Sequence, residues 1–140
     1  MAFDPRLKAN IKLTTDALVF SKSGGHWQVL LIERGNDPFK GLWAFPGGFV
    51  EDDEDLEPAA IRELHEETGL LLPAMRQLHT FGTPGRDPRG RTVSIVFYAF
   101  TDGSKHNVVG GDDAAKAQWV NVKDITTMAF DHKAILDFAL

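Results

Sequence analysis

The segment GGFVEDDEDLEPAAIRELHEETGL, residues 47–70, holds nine of the 20 acidic residues of this 140-residue chain and one arginine, Arg62. Its second half carries the signals of a helix over Leu56–Thr68. Asp55 stands where an N-cap is expected, and Gly69 can adopt the left-handed conformation that follows many helices. We therefore predict an acidic helix with well-defined ends.

This helix has an apolar side with an acidic border. At about 100° per residue, the apolar side can face a core. It consists of Leu56, Ala60, Ile61, Leu64 and Thr68. Glu63, Glu66 and Glu67 fall within an arc of about 100° beside it. A solvated helix face is the ordinary interpretation of such a run. However, like charges at this spacing repel one another, so three converging carboxylates indicate a site for a cation.

The spacing of the segment is more specific than its charge. It matches the pattern G-x5-E-x7-R-E-U-x-E-E-x-G-U, in which U is aliphatic. The matching residues are Gly48, Glu54, Arg62, Glu63, Leu64, Glu66, Glu67, Gly69 and Leu70. With ordinary residue usage, a chance match is on the order of one in a billion per starting position. This pattern is the Nudix box, and the chain resembles the Nudix hydrolases over most of its length.

The rest of the chain predicts an α/β fold. Runs rich in β-branched and aromatic residues are predicted strands. They are residues 14–21, 29–33, 92–101 and 115–122. A second helix is predicted over residues 132–140, and no linker divides the chain, so we expect a single domain over residues 1–140. The resemblance implies the Nudix fold, a mixed β-sheet sandwiched between helices.

The resemblance also implies a metal site in the box. Carboxylates on a rigid helix suit hard divalent cations, and Mg²⁺ keeps its remaining positions for water and substrate phosphates. By resemblance, Glu63, Glu66 and Glu67 are the ligands of Mg²⁺ or Mn²⁺ and form the catalytic centre, with the backbone carbonyl of Gly47 as a further ligand. Arg62 and Glu54 match positions that orient the helix through a charge pair. Gly48 and Gly69 belong to the same structural part of the motif.

The implied reaction is hydrolysis of a nucleoside diphosphate linked to another group. Three stretches resemble the ADP-ribose pyrophosphatase branch, whose products are AMP and ribose 5-phosphate. They are NDPFKGLWAFPGG, FGTPGRDPRGRTVSIVFYAF and GGDDAAKAQWV. Candidate substrate-binding residues are Arg34, Arg86 and Arg91, with Arg89 in the same loop, and Trp43 and Phe45 as adenine-stacking rings. Two alternatives stay open: the arginine loop pairs with Asp87 in solvent, and both rings pack in the core.

The general base has two candidate locations. Glu63 is the candidate on the helix. Asp112 and Asp113 are the candidates on a loop, where Gly110 and Gly111 give the backbone freedom to bring a carboxylate over bound phosphates. If all three box glutamates bind metal, none is free to accept a proton, which favours the loop. The alternative is that both aspartates cap the turn before the next strand.

Composition restricts the partners and the setting. The chain has no cysteine, which excludes disulfides and thiolate metal sites and favours the cytoplasm. A net charge of -5 argues against non-specific nucleic-acid binding, and no stretch is long and apolar enough for a membrane span. A homodimer would be unsurprising by resemblance. We assign no histidine to metal; the five are His26, His65, His79, His106 and His132.

Two other functions compete with ADP-ribose hydrolysis. One is a Nudix enzyme for another dinucleotide or nucleotide sugar. The other is a non-catalytic ADP-ribose sensor, because similar Nudix domains occur fused to DNA-binding modules. Such sensors carry a C-terminal winged helix and often a degraded box. Here the box is intact and residue 140 directly follows the last predicted helix, so we expect an enzyme.

Overall fold

In the part of the chain that the structure describes, the fold consists of a seven-stranded mixed β-sheet and two α-helices. The computed structural model describes Asp4 and residues 10–140. The strands are β1 (Lys12–Ser23), β2 (His26–Arg34), β3 (Trp43–Ala44), β4 (Gly47–Phe49), β5 (Arg76–Phe81), β6 (Thr92–Phe100) and β7 (Ala114–Asn121). The helices are α1 (Leu56–Thr68) and α2 (His132–Ala139), and short 3-10 turns span Gly103–Lys105 and Val122–Asp124. No helix in the described part of the chain has the length and apolarity of a membrane span.

The sheet is built around two parallel strands. Its strand order is β3-β2-β1-β6-β5, with β4 paired to β1 and β7 paired to β2. β1 and β6 run parallel, from Lys12 opposite Thr92 to Phe20 opposite Phe100. The other pairs are antiparallel. β4 therefore joins β1 beside its first half, which places the acidic segment next to the centre of the sheet.

The two helices cover opposite faces of the sheet. Successive side chains of a strand point to opposite faces, and β1 is buried on both. Ala17 and Val19 pack with Ala60 and Leu64 of α1. Their neighbours Leu18 and Phe20 pack with Ile135 and Leu136 of α2. The prediction of a mixed sheet sandwiched between helices is confirmed.

Helix α1 has the predicted bounds and caps. Asp55 Oδ1 accepts a hydrogen bond from the Leu56 N–H at 2.7 Å. Gly69 has φ +77 and donates its N–H to the His65 carbonyl at 2.9 Å. On the predicted apolar side, Ala60, Leu64 and Thr68 are buried, whereas Leu56 and Ile61 are only partly buried. The buried residues of the helix thus extend from Ala59 to Thr68, the part that carries the glutamates.

The short and peripheral strands were not predicted. β3 and β4 have two and three residues, too few to show a periodic pattern. β5 lies at an edge of the sheet, and none of its residues is fully buried. β1 and β2 also extend beyond the predicted residues 14–21 and 29–33. Their adjoining ends remain paired in a hairpin, the first residues of β1 pair with β6, and the last residue of β2 pairs with β7.

Candidate active site

Two glycines of β4 allow the acidic helix to approach the sheet closely. Gly47 pairs with Asp16 of β1, and its N–H donates to Glu67 Oε1 at 2.7 Å. A Cβ atom on Gly48 would lie 2.6 Å from the Glu63 carboxylate, closer than real side chains approach. Glu63 and Glu67 therefore lie against this backbone. A larger residue at Gly48 would displace Glu63, and one at Gly47 would collide with Thr15 and Asp16 of β1.

Arg62 is the centre of an ion-pair network on α1. Its Nε and Nη2 donate to the two carboxylate oxygens of Glu54 at 2.8 and 2.6 Å, so the charge pair implied by the resemblance is present. Its Nη1 donates to Glu63 at 3.0 Å and to Glu66 at 3.2 Å. One guanidinium thus supplies the positive charge expected beside the glutamates.

Burial makes Glu67 and Glu63 weaker acids than an exposed glutamate. The Glu67 residue is only 5% exposed, and burial raises the pKa of its carboxyl to about 8. The Gly47 N–H acts against this rise, whereas the neighbouring Glu63 and Asp16 charges add to it. Burial also raises the pKa of Glu63, although the Arg62 charge opposes that shift. Because a buried carboxylate is stabilised by a cation, a metal ion bound near these two residues would favour their ionised forms.

The three predicted metal ligands do not form a preassembled cluster. Among Asp4 and residues 10–140, no group of three or more His, Cys, Asp or Glu side chains is arranged to hold a metal ion. The reason is visible in the contacts: Arg62 bonds to both Glu63 and Glu66, while Glu67 is turned to the Gly47 N–H. The donor set nevertheless suits a hard divalent cation, which prefers carboxylate and backbone oxygens.

The loop between β6 and β7 is fastened to the end of α1. The Val109 and Gly111 N–H groups donate to the Thr68 and Glu67 carbonyls at 3.1 and 3.2 Å. These carbonyls belong to the last turn of the helix, which has no further helical partners. The attachment brings Asp112 and Asp113 into a cavity with Glu63 and Glu67, which we call the acidic cavity. The structure therefore brings both base candidates together.

A second cavity adjoins the first across Gly47 and Gly48. Its wall includes Asp16, Arg34, Arg86, Arg89, Phe130 and His132, and we call it the basic cavity. Glu67, Arg34 and Arg89 line both cavities. The two cavities therefore adjoin, and carboxylates and guanidinium groups line both of them.

The predicted arginines have different surroundings. Arg86 is held by Asp131 through two hydrogen bonds of 2.9 and 2.7 Å, and its side chain is only 5% exposed. Arg34 donates its Nε to the Pro38 carbonyl at 2.7 Å and lines both cavities. Arg91 bonds to the Gly82 carbonyl and lines neither cavity. Of the predicted substrate arginines, Arg34 and Arg86 are thus brought to the site and Arg91 is not.

The two predicted aromatic residues do not offer free faces at the site. Phe45 lines the basic cavity, but it is 2% exposed and its ring stacks on His132 with centroids 5.0 Å apart, which favours the core-packing alternative for this residue. It is a core residue. Trp43 is half-buried, lies near Lys116 and lines neither cavity. Phe130 also lines the basic cavity, and the sequence analysis did not select it.

A buried polar cluster under the site was also missed. Asp16 accepts a hydrogen bond from the Ser94 hydroxyl and lies 3.6 Å from His132 Nε2. His132 Nδ1 accepts the Phe45 N–H at 3.1 Å, and burial lowers the pKa of this histidine despite the Asp16 charge. A neutral His132 thus fixes the backbone leading to Gly47. The one signal in the sequence was an aspartate inside the apolar run TTDALVFS.

Comparison with known proteins identifies the same architecture. The chain matches the NUDIX domain family over residues 11–138. It is 44% identical over 109 residues to an ADP-ribose pyrophosphatase of Methanocaldococcus jannaschii, covering 78% of this chain and 63% of that protein. It is 36% identical over 131 residues to the ADPR responsive transcriptional repressor NtrR of Acinetobacter baylyi, covering 91% of this chain and 52% of that protein.

A solved structure extends the likeness to the whole fold. The NUDIX domain of Shewanella oneidensis NrtR, complexed with ADP ribose, superposes with a TM-score of 0.88 at 33% identity, covering 98% of this chain and 91% of that one. By contrast, the two sequence relatives are longer, and this chain spans less than two thirds of either. The family match covers nearly the whole chain, which therefore belongs to the Nudix family.

Proposed function

We propose that the protein hydrolyses the pyrophosphate bond of ADP-ribose, with Mg²⁺ or Mn²⁺ bound, and releases AMP and ribose 5-phosphate. The observation that carries this proposal is the meeting of the acidic and basic cavities at Gly47 and Gly48. A diphosphate placed there has carboxylates for its metal ion on one side and guanidinium groups on the other. The ADP-ribose pyrophosphatase relative supports this choice of substrate.

Glu63, Glu66 and Glu67, with the Gly47 carbonyl, would hold the metal. Bound there, it would neutralise phosphate charge and polarise the bond under attack. When the metal binds, Arg62 would release Glu63 and Glu66. Its pair with Glu54 would continue to orient the helix. Because Glu67 is buried beside the backbone of β4, its position relative to the phosphates is set by the fold.

Arg34 and Arg86 would contribute hydrogen-bond donors on the opposite side. Arg86 is oriented by Asp131 of the turn before α2, and Arg34 by the Pro38 carbonyl. Both side chains are therefore preorganised, which reduces the entropy lost on binding. Charge-assisted bonds of this kind are stronger than neutral ones.

The base that takes a proton from the attacking water is on the β6–β7 loop in this proposal. Asp112 and Asp113 face the box glutamates, and their charges contribute to the raised pKa values of Glu63 and Glu67. Asp113 also accepts a hydrogen bond from Asn36 at 3.4 Å. Glu63 is the alternative base, and its bond to Arg62 opposes the rise in its pKa that burial causes.

An ADP-ribose sensor is the second candidate function. It is favoured by the 36% identity to NtrR over 91% of the chain. Both functions use the same two cavities, so they differ in turnover and not in ligand. The complete set of box carboxylates favours the enzyme, because binding alone does not require three acidic residues whose mutual repulsion destabilises the helix.

The test is a panel of nucleoside diphosphate compounds incubated with purified protein and either metal, with products identified by mass. The panel includes ADP-ribose, dinucleotides and nucleotide sugars. We expect AMP and ribose 5-phosphate from ADP-ribose, no products in excess chelator, and a fall in kcat of at least about a hundredfold for Glu67→Gln. Binding of ADP-ribose without turnover would support the sensor, and faster turnover of another compound would replace the substrate.

A further inference from the structure

A side chain of helix α2 holds the connection between β3 and β4. Phe45, the first residue of this connection, donates its N–H to His132 Nδ1 at 3.1 Å. The next residue, Pro46, has no N–H to donate, and its carbonyl accepts the Ala17 N–H at 2.8 Å. The bond from Phe45 to the buried His132 is therefore the last fixed point on the β3 side before the chain reaches Gly47.

The pairing of β4 with β1 decides where the peptide groups of Gly47 point. Ala17 and Pro46 form a hydrogen-bonded pair across the two strands. In an antiparallel pair of strands, bonded and non-bonded pairs alternate, so the following pair, Asp16 and Gly47, is a non-bonded one. The N–H and the carbonyl of Gly47 then both point away from β1. Because β1 does not bond this carbonyl, its direction depends on how the chain is held at Phe45.

The imidazole of His132 has one tautomer in this arrangement. Nδ1 accepts an N–H and so carries no proton, which places the proton of the neutral ring on Nε2. Nε2 lies 3.6 Å from the Asp16 carboxylate, which also accepts the Ser94 hydroxyl. A carboxylate on that side of the ring favours a proton at Nε2. Asp16 therefore helps to keep Nδ1 available as the acceptor for Phe45.

This hydrogen-bond chain connects the two faces of the sheet. Asp16 alternates with Ala17 along β1 and shares the face that α2 covers, whereas Glu67 belongs to α1 on the other face. The two sides meet at Gly47. Its N–H donates to Glu67 at 2.7 Å, and a Cβ atom there would lie 2.6 Å from Asp16 Oδ1. The start of α2 thus contacts the acidic segment through the backbone of β4.

We propose that His132 is a positioning residue for the metal site, because its bond to Phe45 holds the Gly47 carbonyl on the side of β4 where Glu67 lies. His132 acts on the metal only through the backbone from Phe45 to Gly47. The inference rests on the proposed function, in which the Gly47 carbonyl is a metal ligand. It adds that the affinity for metal depends on a residue of α2, outside the acidic segment.

Two amide variants separate the acceptor atom from the rest of the side chain. In His132→Asn the amide oxygen can take the place of Nδ1, whereas in His132→Gln the longer side chain carries its amide to the place of Nε2. Both variants lose the ring, and only asparagine keeps an acceptor for Phe45. The Kd of Mn²⁺ alone is measured by electron paramagnetic resonance. We expect His132→Gln to raise it about tenfold and His132→Asn to leave it within about twofold of wild type.

Leu136→Ala is the matched control for damage to α2. Leu136 is buried on the same helix and lines neither cavity. This variant should lower the melting temperature in chelator and leave the Kd of Mn²⁺ within about twofold of wild type. Equal Kd values for His132→Asn and His132→Gln would overturn the positioning role, and so would a tenfold rise in Leu136→Ala.

Nuclear magnetic resonance of the wild type tests the hydrogen bond without a substitution, and it decides the question if a variant fails to fold. The ¹⁵N shifts of His132 should show a protonated Nε2 and an unprotonated Nδ1. The amide nitrogen of Phe45 should show scalar coupling to Nδ1 across the hydrogen bond. A proton on Nδ1 would overturn the inference.

Turnover of ADP-ribose separates this inference from the proposed function. At saturating Mn²⁺, His132→Gln should have a kcat within about threefold of wild type, because metal affinity and not the reaction itself is disturbed. A lower kcat at saturating Mn²⁺ would overturn this role. A wild type that binds Mn²⁺ and does not hydrolyse ADP-ribose refutes the proposed function, and the Mn²⁺ comparison still decides the role of His132. Absence of Mn²⁺ binding by the wild type would overturn both.

Discussion

Replacing Glu67 by glutamine should stabilise the metal-free protein while it abolishes most of the activity. Burial raises the pKa of the Glu67 carboxyl from 4.5 to about 8. Glutamine has nearly the same shape, keeps an oxygen for the Gly47 N–H, and carries no charge. The substitution therefore removes a destabilising buried charge without opening a cavity, which is the reverse of the usual effect of a mutation at a buried position.

The size of the effect follows from proton linkage. In the unfolded chain this carboxyl loses its proton near pH 4.5, whereas in the folded protein it keeps the proton up to about pH 8. Between these values the folded state binds more protons, so the free energy of unfolding falls as pH rises. At about 1.4 kcal/mol per pH unit, the decrease in the free energy of unfolding of the wild type reaches about 5 kcal/mol above pH 8 and vanishes below pH 4.5. Rearrangement of the carboxylate would reduce this penalty. We therefore expect the free energy of unfolding of the variant to exceed that of the wild type by about 2 to 5 kcal/mol.

Urea denaturation in excess chelator, followed by tryptophan fluorescence, measures this gain. The difference between Glu67→Gln and wild type should be largest near pH 8 and close to zero near pH 4.5. His132, whose pKa is lowered by burial, destabilises both proteins equally as pH falls below 6.5, so its effect cancels in the difference. Glu66→Gln is the matched control, because its side chain is 42% exposed and its removal should change stability by about 0.5 kcal/mol or less.

Added Mg²⁺ should reverse the order of stability, since only the wild type gains binding energy from the full ligand set. Two outcomes would contradict the reasoning. Equal stability of the two proteins near pH 8 would mean that Glu67 carries no penalty in the folded state. A difference that stays constant across the pH range would mean that the variant acts through packing and not through charge.

Three further predictions test the surroundings of the glutamates. Gly48→Ala should weaken Mn²⁺ binding roughly tenfold, measured by electron paramagnetic resonance, because the new Cβ displaces Glu63. Gly111→Ala places a Cβ 2.6 Å from a carbonyl of α1 and should dislodge the loop. We expect kcat to fall and the free energy of unfolding to decrease by about 1 to 3 kcal/mol. Asp112→Asn and Asp113→Asn, assayed singly, should identify the base by a fall in kcat at unchanged metal affinity; wild-type kcat in both across the pH range would transfer that role to Glu63.

The acidic helix could be predicted because its determinants are local. Asp55, Gly69 and the apolar spacing between them lie within one short segment, and the hydrogen bonds that they make in the structure are also within it. The same holds for the pair of Arg62 and Glu54, which are eight residues apart. Spacing in the sequence then corresponds directly to geometry in the fold.

The basic cavity could not be predicted because its contacts join distant parts of the chain. Arg86 is oriented by Asp131, 45 residues away, and His132 binds the Phe45 N–H across 87 residues. The residues next to Phe130 in the sequence do not indicate that its backbone is left-handed. This conformation arises from the turn that leads into α2. The burial of Phe45 has the same origin, since nothing in the neighbouring sequence separates a core ring from a ring that is free to stack on a ligand.

The parallel pairing of β1 with β6 has a consequence for how the molecule forms. Partners such as Lys12 and Thr92 are about 80 residues apart. The central pair of strands can therefore form only when the ends of this long segment meet, which costs conformational entropy. Such non-local pairing slows folding. During synthesis, the apolar run of β1 is made well before β6. Until β6 pairs with it, the edge of β1 that faces β6 is unpaired and prone to aggregation. Substitutions in β6 should therefore appear first as poor recovery of soluble protein.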